Sequence, residues 1–258
     1  MKQFKAGFIG CGNMAAAIIG GMQRVGVKNI YVYDKDEEKC KRFSNVIPCV
    51  DTNETVQAAD IIFLCVKPNI LPQVLEKITV EGKAFVSIAA GVTTQKIRSY
   101  LKPTMRLMRI MPNTPLLVGK GAICIETPTD FTEDEQAFIN DVFCSIGMIE
   151  HVDGNLMDSV TGVSGSGPAY VYMFIDALAK AGEKHGLDAN LSLRLAIQTF
   201  EGACEMLKNT DDAPSKLIEN VCSPGGTTIE AMKVFEARHT REIVEEAVDA
   251  CVAKSRVL

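Results

Sequence analysis

Gly10-Cys11-Gly12-Asn13-Met14-Ala15 sets two glycines and a small residue at the spacing Gly-x-Gly-x-x-Ala. That spacing suits a phosphate-binding loop between a strand and a helix. The first glycine permits the tight turn, the second lets a pyrophosphate approach the backbone, and small Ala15 lets helix and strand pack closely. The helix opening there supplies free N–H donors and the positive end of its dipole. Alone the pattern is weak, and an ordinary βα turn rich in small residues would share it. Here it lies between a strand pattern and a helix pattern at the start of the chain. Asp34 ends the next strand pattern, close to the roughly 20-residue separation of the acid that meets an adenosine ribose. Together these residues point to a bound dinucleotide. Asp34 would accept from ribose hydroxyls, which favours NADH. Lys35 beside it could pair with a 2′-phosphate, which would admit NADPH. The choice between NADPH and NADH stays open. A flavin could use the same loop, but 258 residues is short for a flavin fold.

Two further loops leave strand patterns where sheets of this kind bind ligands. They are Cys65-Val66-Lys67-Pro68-Asn69 and Ile88-Ala89-Ala90-Gly91-Val92. Small residues at a strand's carboxyl end let a flat ring approach the backbone. Lys67 offers a positive group for phosphate or ribose, or is a solvated surface lysine. Later in the chain, Ser223-Pro224-Gly225-Gly226-Thr227-Thr228 offers unobstructed backbone N–H groups entering a helix, a cradle for a carboxylate. It reads equally as a helix–helix turn with Ser and Thr capping. In Ser164-Gly165-Ser166-Gly167-Pro168, Pro168 suits a first helical turn with Ser166 as its cap. The small residues there would also let a helix of one subunit crowd another's site. Cys222 reads as packing, and Asp211 as a loop acid or a group near the pocket.

These residues need a scaffold, and the alternation along the first 153 residues supplies one. Strand patterns run over 6–10, 29–34, 46–50, 61–66, 84–89 and 106–111, with helices at about 13–25 and 36–44 between them. Such alternation gives a parallel sheet with helices on both faces. Segments 122–126 and 147–152 extend the sheet, with a helix over 133–144 capped by Asp130 or Thr132. Past Asp153 no strand pattern follows. Helical periodicity covers 170–185, 191–207, 215–221 and 241–257. The fold expected is α/β: a Rossmann-type dinucleotide-binding domain over residues 1–153, then an all-helical substrate and dimerisation domain over 154–258. The long apolar helix faces could pack on the N-terminal domain or bury themselves against a second subunit.

Composition narrows the class. The content is 47% hydrophobic and 23% charged, with a net charge of −5. No basic run marks a nucleic-acid partner. No apolar stretch reaches the roughly 18 residues of a membrane span. The first residues, Met1 to Ile9, enter a strand pattern without a leader's apolar core. Nine cysteines lie scattered without a Cys-x-x-Cys pair, and three histidines stand far apart. That pattern reads as reduced thiols in a cytoplasmic protein, with no metal site.

Four segments are unusual together: Val66-Lys67-Pro68, Arg109-Ile110-Met111-Pro112-Asn113-Thr114-Pro115, Val160-Thr161-Gly162-Val163-Ser164-Gly165-Ser166-Gly167-Pro168-Ala169-Tyr170, and Ser223 to Thr228. With the glycine loop and Ala89-Ala90-Gly91, the ordered set resembles the pyrroline-5-carboxylate reductases, the last enzymes of proline biosynthesis. The resemblance implies a helical domain interlocking two subunits and reduction of a cyclic imine carboxylate, 1-pyrroline-5-carboxylate, to L-proline with NADPH or NADH. It implies a homodimer, with rings of dimers in some members. By position, Gly10 to Ala15 match the phosphate loop. Val66, Lys67 and Pro68, then Ala89, Ala90 and Gly91, match cofactor contacts, as does Asn220. Ser223, Gly225, Gly226, Thr227 and Thr228 match the carboxylate and imine pocket, with Thr228 the catalytic-site residue near the substrate nitrogen. Asp34 departs from the small polar or basic residue of many relatives. Relatives often carry Asn near position 52, where this chain has Thr52 and Asn53.

The chemistry suits such a site. A protonated imine is already an electrophile, so catalysis gains most from holding the reacting atoms at roughly 3–3.5 Å. No catalytic His or Lys is required. Thr228 is a poor proton donor by pKa and fits a positioning role, or a relay through water. A hydroxyacid dehydrogenase of similar build would need an acid/base group on the helices, with Lys180 and Lys184 as candidates. A nucleotide sensor without turnover would need only the glycine loop.

Overall fold

The computed structural model describes residues 3–258; Met1 and Lys2, where the leader reading begins, lie outside the described residues. The chain divides into two compact units. One runs to Ser166 and takes in Cys251–Leu258; the other is Gly167–Ala250.

The first unit alternates strands and helices. In order these are β1 (Ala6–Ile9), α1 (Asn13–Arg24), β2 (Ile30–Tyr33), α2 (Glu37–Lys41), β3 (Ile47–Pro48) and α3 (Thr52–Ala58). Next come β4 (Ile61–Leu64), α4 (Leu71–Leu75), β5 (Ala84–Ser87), α5 (Thr94–Arg98) and β6 (Arg106–Met111). The unit continues with β7 (Gly121–Thr127), α6 (Glu133–Cys144), β8 (Gly147–Asp153) and α7 (Met157–Val160). Residues Thr161–Gly165 then form a π-helical turn.

The strands make one sheet in the order β3-β2-β1-β4-β5-β6-β7-β8. Strands β1, β4 and β5 are buried at every position, as parallel strands covered on both faces must be. Helices α1 and α6 cover one face around Ile18, Met22, Phe138 and Phe143. Helices α3, α4 and α5 cover the other around Val56, Leu71, Leu75 and Ile97. Each such side chain contributes roughly 1.5–3 kcal/mol by burial, so the strand ends are anchored by a continuous core. Phe8 and Phe63 stack across β1 and β4 at 4.8 Å between centroids.

All pairings are parallel except β6 with β7. The link 112–120 is too short for the dozen or more residues of a parallel crossover, so β7 turns back beside β6. Helix α6 then returns the chain, and β8 runs parallel to β7. Thr132 caps α6 in a reciprocal box with Glu135. Asp130, the other cap candidate, instead accepts the Leu107 N–H at 2.7 Å and pairs with Arg98.

The second unit is helical: α8 (Gly167–Lys184), α9 (Ala189–Lys208), α10 (Pro214–Val221), α11 (Thr227–Ala237) and α12 (Thr240–Ser255), whose last turn belongs to the first unit. Helix α11 extends the start expected at Thr227 into a full element that periodicity did not mark. Helices α8 and α9 form a hairpin closed by Gly186, at φ +93°, and by Asp188, which caps α9 at the Leu191 N–H. They approach closely because Gly182 has no Cβ to meet Ser192 Oγ, which donates to Ala179 O at 2.6 Å. Only Ala179, Ser192 and Ala196 are buried in Gly167–Ala250. No helix among the described residues is long and apolar enough to cross a membrane.

Candidate active site

The strand order reverses between β1 and β4, which opens a crevice at their carboxyl ends. The glycine loop sits there. Gly10 takes φ +95°, and a Cβ on it would fall 2.5 Å from Cys65 O, so this turn requires glycine. Its N–H donates to Tyr33 O at 2.8 Å, and the Cys65 N–H donates to Ile9 O at 2.8 Å. Loop 10–15 and loop 65–68 therefore meet at Gly10, with Val66 lying against the same spot. Gly12 precedes α1 without any side-chain cap, and open space lies where its Cβ would be. The first-turn N–H groups of α1 are thus free for an anion. This cradle fits a dinucleotide pyrophosphate, and Gly12, Asn13, Met14 and Ala15 supply it.

Cys11 is held at both of its peptide groups. Its N–H donates to Asp34 Oδ2 at 2.9 Å, and its carbonyl accepts from Arg42 Nη2 at 2.7 Å. Asp34 Oδ1 accepts the Asp36 N–H at 3.0 Å and lies 3.8 Å from Lys39 Nζ. Lys35 and Lys67 are exposed, and Pro68 is half-buried. Cys11 Sγ lies 3.5 Å from Cys40 Sγ. Burial, and then Cys40, push the Cys11 thiol far above its ordinary range. Burial does the same to Cys65. Neither is a thiolate nucleophile. Among the described residues no group of His, Cys, Asp and Glu converges as a metal site.

Past β5, Ala89 is buried and Gly91 takes φ +71°. A Cβ on Gly91 would meet Leu258 Cβ at 2.5 Å and Ser255 O at 2.6 Å. The chain's last residues therefore back the Ala89-Ala90-Gly91 loop, fixed by Ser255 Oγ donating to Asp158 Oδ1 at 2.6 Å. The Asn113 segment has its own task. Asn113 Nδ2 donates to Ser164 O at 3.1 Å and its Oδ1 accepts the Ala122 N–H at 2.9 Å, tying β6 to the π-helical turn. Ser166 Oγ lies 3.1 Å from Cys251 Sγ, so its partner is a thiol and not the start of α8.

In the second unit, Ser223-Pro224-Gly225-Gly226 forms a tight turn. The Gly226 N–H donates to Ser223 O at 3.0 Å, and Gly225 takes φ +74°. Proline followed by a positive-φ glycine is the signature of a type II turn. Gly226 then leads into α11 with no side-chain cap, which leaves the first-turn N–H groups at Thr227 and Thr228 free. Thr228 and Asn220 line one cavity of about 470 Å³ with Met206, Val221, Cys222 and Met232. Two sequence-predicted residues, eight apart in the chain and on different helices, are thereby brought together. The acid/base alternatives fare differently. Lys180 pairs with Asp176 at 2.6 Å on an exposed helix face, and Lys184 is exposed.

Comparison with known proteins bears on both units. Residues 154–258 match the family model described as pyrroline-5-carboxylate reductase dimerisation. Residues 5–91 match the model described as NADP oxidoreductase coenzyme F420-dependent. The chain is 38% identical to the pyrroline-5-carboxylate reductase of Escherichia coli, with 98% of each chain covered. It is 36% identical to human pyrroline-5-carboxylate reductase 2, covering 98% of this chain and 83% of the human one. The chain belongs to the pyrroline-5-carboxylate reductase family. Its structure matches the Plasmodium falciparum pyrroline carboxylate reductase with NADP bound at a TM-score of 0.92 and 32% identity, covering 100% of this chain and 98% of the other. The Streptococcus pyogenes enzyme gives 0.92 at 28% identity, covering 99% of each. A pyrroline-5-carboxylate reductase is an NAD(P)H-dependent oxidoreductase of proline biosynthesis, with a Rossmann-type domain followed by a helical dimerisation domain.

Two features of this reductase were not legible as site features. Arg42 reaches Cys11 across 31 positions, with no local motif to announce it. Ser255 and Leu258 back Gly91 from the far end of the chain. Asn53, next to the Asn position of relatives, spends its side chain on Lys77 O and the Thr79 N–H, at 2.9 and 3.0 Å.

Proposed function

We propose that this chain reduces 1-pyrroline-5-carboxylate to L-proline, and that the residues assigned by position carry out the roles the family resemblance gives them. The observation that carries the reading is that one chain holds both a pyrophosphate cradle at Gly10–Ala15 and, in its second unit, an uncapped helix start at Thr227–Thr228 beside an apolar cavity. When bound, the nicotinamide cofactor supplies hydride. The chain's own groups do the rest. The first turn of α1 holds the pyrophosphate, and Asp34 and Lys35 face the adenosine ribose. Val66, Lys67 and Pro68 line the cofactor's path, Ala89, Ala90 and Gly91 give the nicotinamide ring a flat backbone surface, and Asn220 contacts the cofactor.

Ser223, Gly225 and Thr227 receive the substrate carboxylate on backbone N–H groups, presented by the turn that the Gly226 N–H closes, where a negative charge is stabilised by the helix start. Thr228 Oγ1 hydrogen-bonds the ring nitrogen. The iminium carbon gains hydride, its π electrons pass to nitrogen, and the product is a neutral secondary amine that takes a proton from water. Thr228 positions the imine and is not required as an acid.

The working form in this reading is a homodimer. Gly167–Ala250 exposes Tyr172, Met173, Leu195, Ile197 and Phe235, each close to half exposed or more. A unit of that size with so little buried surface requires a partner. Assembly of dimers into a larger ring, a cytoplasmic location, and a functional boundary at residues 153/154 complete the proposal. The test is steady-state reduction of pyrroline-5-carboxylate with NADPH and NADH in parallel, with molecular mass by light scattering.

A further inference from the structure

Arg42 carries a charge that no carboxylate among the described residues meets. Among the described residues it forms no ion pair, whereas its neighbours do: Lys39 with Asp36 and Asp34, and Lys41 with Glu38. It is nevertheless held in place. Nη2 donates to Cys11 O at 2.7 Å, Nη1 lies 3.5 Å from Asn13 Oδ1, and the guanidinium stands over the Phe43 ring at 5.0 Å. Two of its contacts are thus to the glycine loop itself. A guanidinium has five N–H donors, so most of them remain for a ligand on this exposed side chain.

Asp34 grips the other peptide group of the same residue, through the Cys11 N–H. The carboxylate and the guanidinium therefore flank one residue of the loop. A ribose whose hydroxyls rest on Asp34 would carry a 2′-substituent over Cys11, beside Arg42. Asp34 alone would repel a phosphate there. Its charge is already met by two backbone N–H groups and by Lys39, and Arg42 adds a planar fork matched to phosphate oxygens.

We propose that Arg42 is the residue that lets this chain accept NADPH despite Asp34, by binding the 2′-phosphate through the guanidinium donors left free beside Cys11. The inference rests on the dinucleotide reading of the strand edge and deepens it by naming the specificity group.

The test measures binding of 2′,5′-ADP and of 5′-AMP by calorimetry to the full chain, its Arg42→Gln variant and its Arg42→Lys variant. Glutamine keeps an amide donor for Cys11 O and removes the charge. The expected result is a loss of roughly 10- to 100-fold for 2′,5′-ADP in Arg42→Gln, the scale of one charged hydrogen-bonding partner. For 5′-AMP, which has no 2′-phosphate, the change stays under about twofold, since glutamine keeps the donor to Cys11 O and a surface change away from the ligand is near silent. Arg42→Lys restores part of the 2′,5′-ADP affinity. The KM for NADPH rises with the first loss, while that for NADH holds. Equal weakening of both fragments would assign Arg42 to loop geometry or the pyrophosphate and overturn the proposal. No change in either fragment would overturn it as well. If neither fragment binds the unaltered chain, the dinucleotide reading itself fails, and the two failures are thereby told apart.

Discussion

In the glycine loop the backbone is held from several directions: Tyr33 O takes the Gly10 N–H, Asp34 and Arg42 take both peptide groups of Cys11, and Cys65 O closes over Gly10. The Ser223–Thr228 turn closes on itself through one backbone bond and stands between helices whose apolar faces are open. The first region is preorganised within one chain, on a sheet core that is buried on both faces. The second has its local geometry, but the elements that bear it are underburied. In the proposed assignment the cofactor phosphates are therefore held by a loop ordered within one chain, and the substrate turn sits on elements that the proposed dimer would cover.

The largest effect should come from breaking the open helix faces. Met173→Asp combined with Leu195→Asp places charge on two exposed apolar positions. Each hot-spot loss is about 2 kcal/mol or more, roughly 30-fold in association. Light scattering should show monomer, turnover should vanish, and dinucleotide affinity should stay within about twofold. A parallel fall in dinucleotide affinity would show that the two regions are not independent. Next comes Gly10→Ala, which forces a Cβ against Cys65 O at positive φ. Strain of about 1–3 kcal/mol should appear in denaturant unfolding, with dinucleotide binding lost and the oligomer mass unchanged. An unaltered affinity would contradict the cradle.

A smaller effect, confined to stability of the first unit, is expected at Glu135. Burial opposes its ionisation, but Arg106, bonding both carboxylate oxygens at 3.0 and 2.6 Å, and Thr132 outweigh that and hold its carboxyl below its ordinary value. A lowered folded value means stability that is present above the unfolded value, about 4.3, and is lost as pH falls through the folded one. Glu135→Gln should cost about 1–3 kcal/mol near neutrality. The difference from the unaltered chain should shrink in acid, read by urea unfolding across pH. A difference that grew in acid would reverse the sign of this account.

Much of the first region is legible from residue types, because its determinants are local. A glycine at a positive-φ turn, an acid at a strand end and a capping box at Thr132 each declare themselves within a few residues. The antiparallel β7 follows from the brevity of link 112–120, which the strand patterns alone did not use. What stayed hidden depends on contacts far apart in the chain: Arg42 with Cys11, and Ser255 with the Gly91 loop. In the second unit the turn chemistry of Ser223–Gly226 is visible in its residues, and the family motif set names its substrate. The helix α11 was marked only at its start, because its exposed face carries Val234 and Phe235 and so blurs the apolar stripe that would set its period. The same exposed residues that obscure the helix in the sequence are those the assembly is proposed to cover.

The central claim is that this chain reduces 1-pyrroline-5-carboxylate to L-proline, with Thr228 proposed to hold the imine. It is tested most directly by adding pyrroline-5-carboxylate to the purified chain with NADPH or NADH and following cofactor oxidation and proline formation, with Thr228→Ala alongside. The account predicts one proline per cofactor oxidised. In Thr228→Ala it predicts kcat reduced by roughly 10- to 100-fold, the cost of losing the hydrogen bond that orients the imine for hydride transfer, with the cofactor KM unchanged. No oxidation of either cofactor by the unaltered chain, or a collapse of cofactor binding in Thr228→Ala with kcat intact, would contradict it.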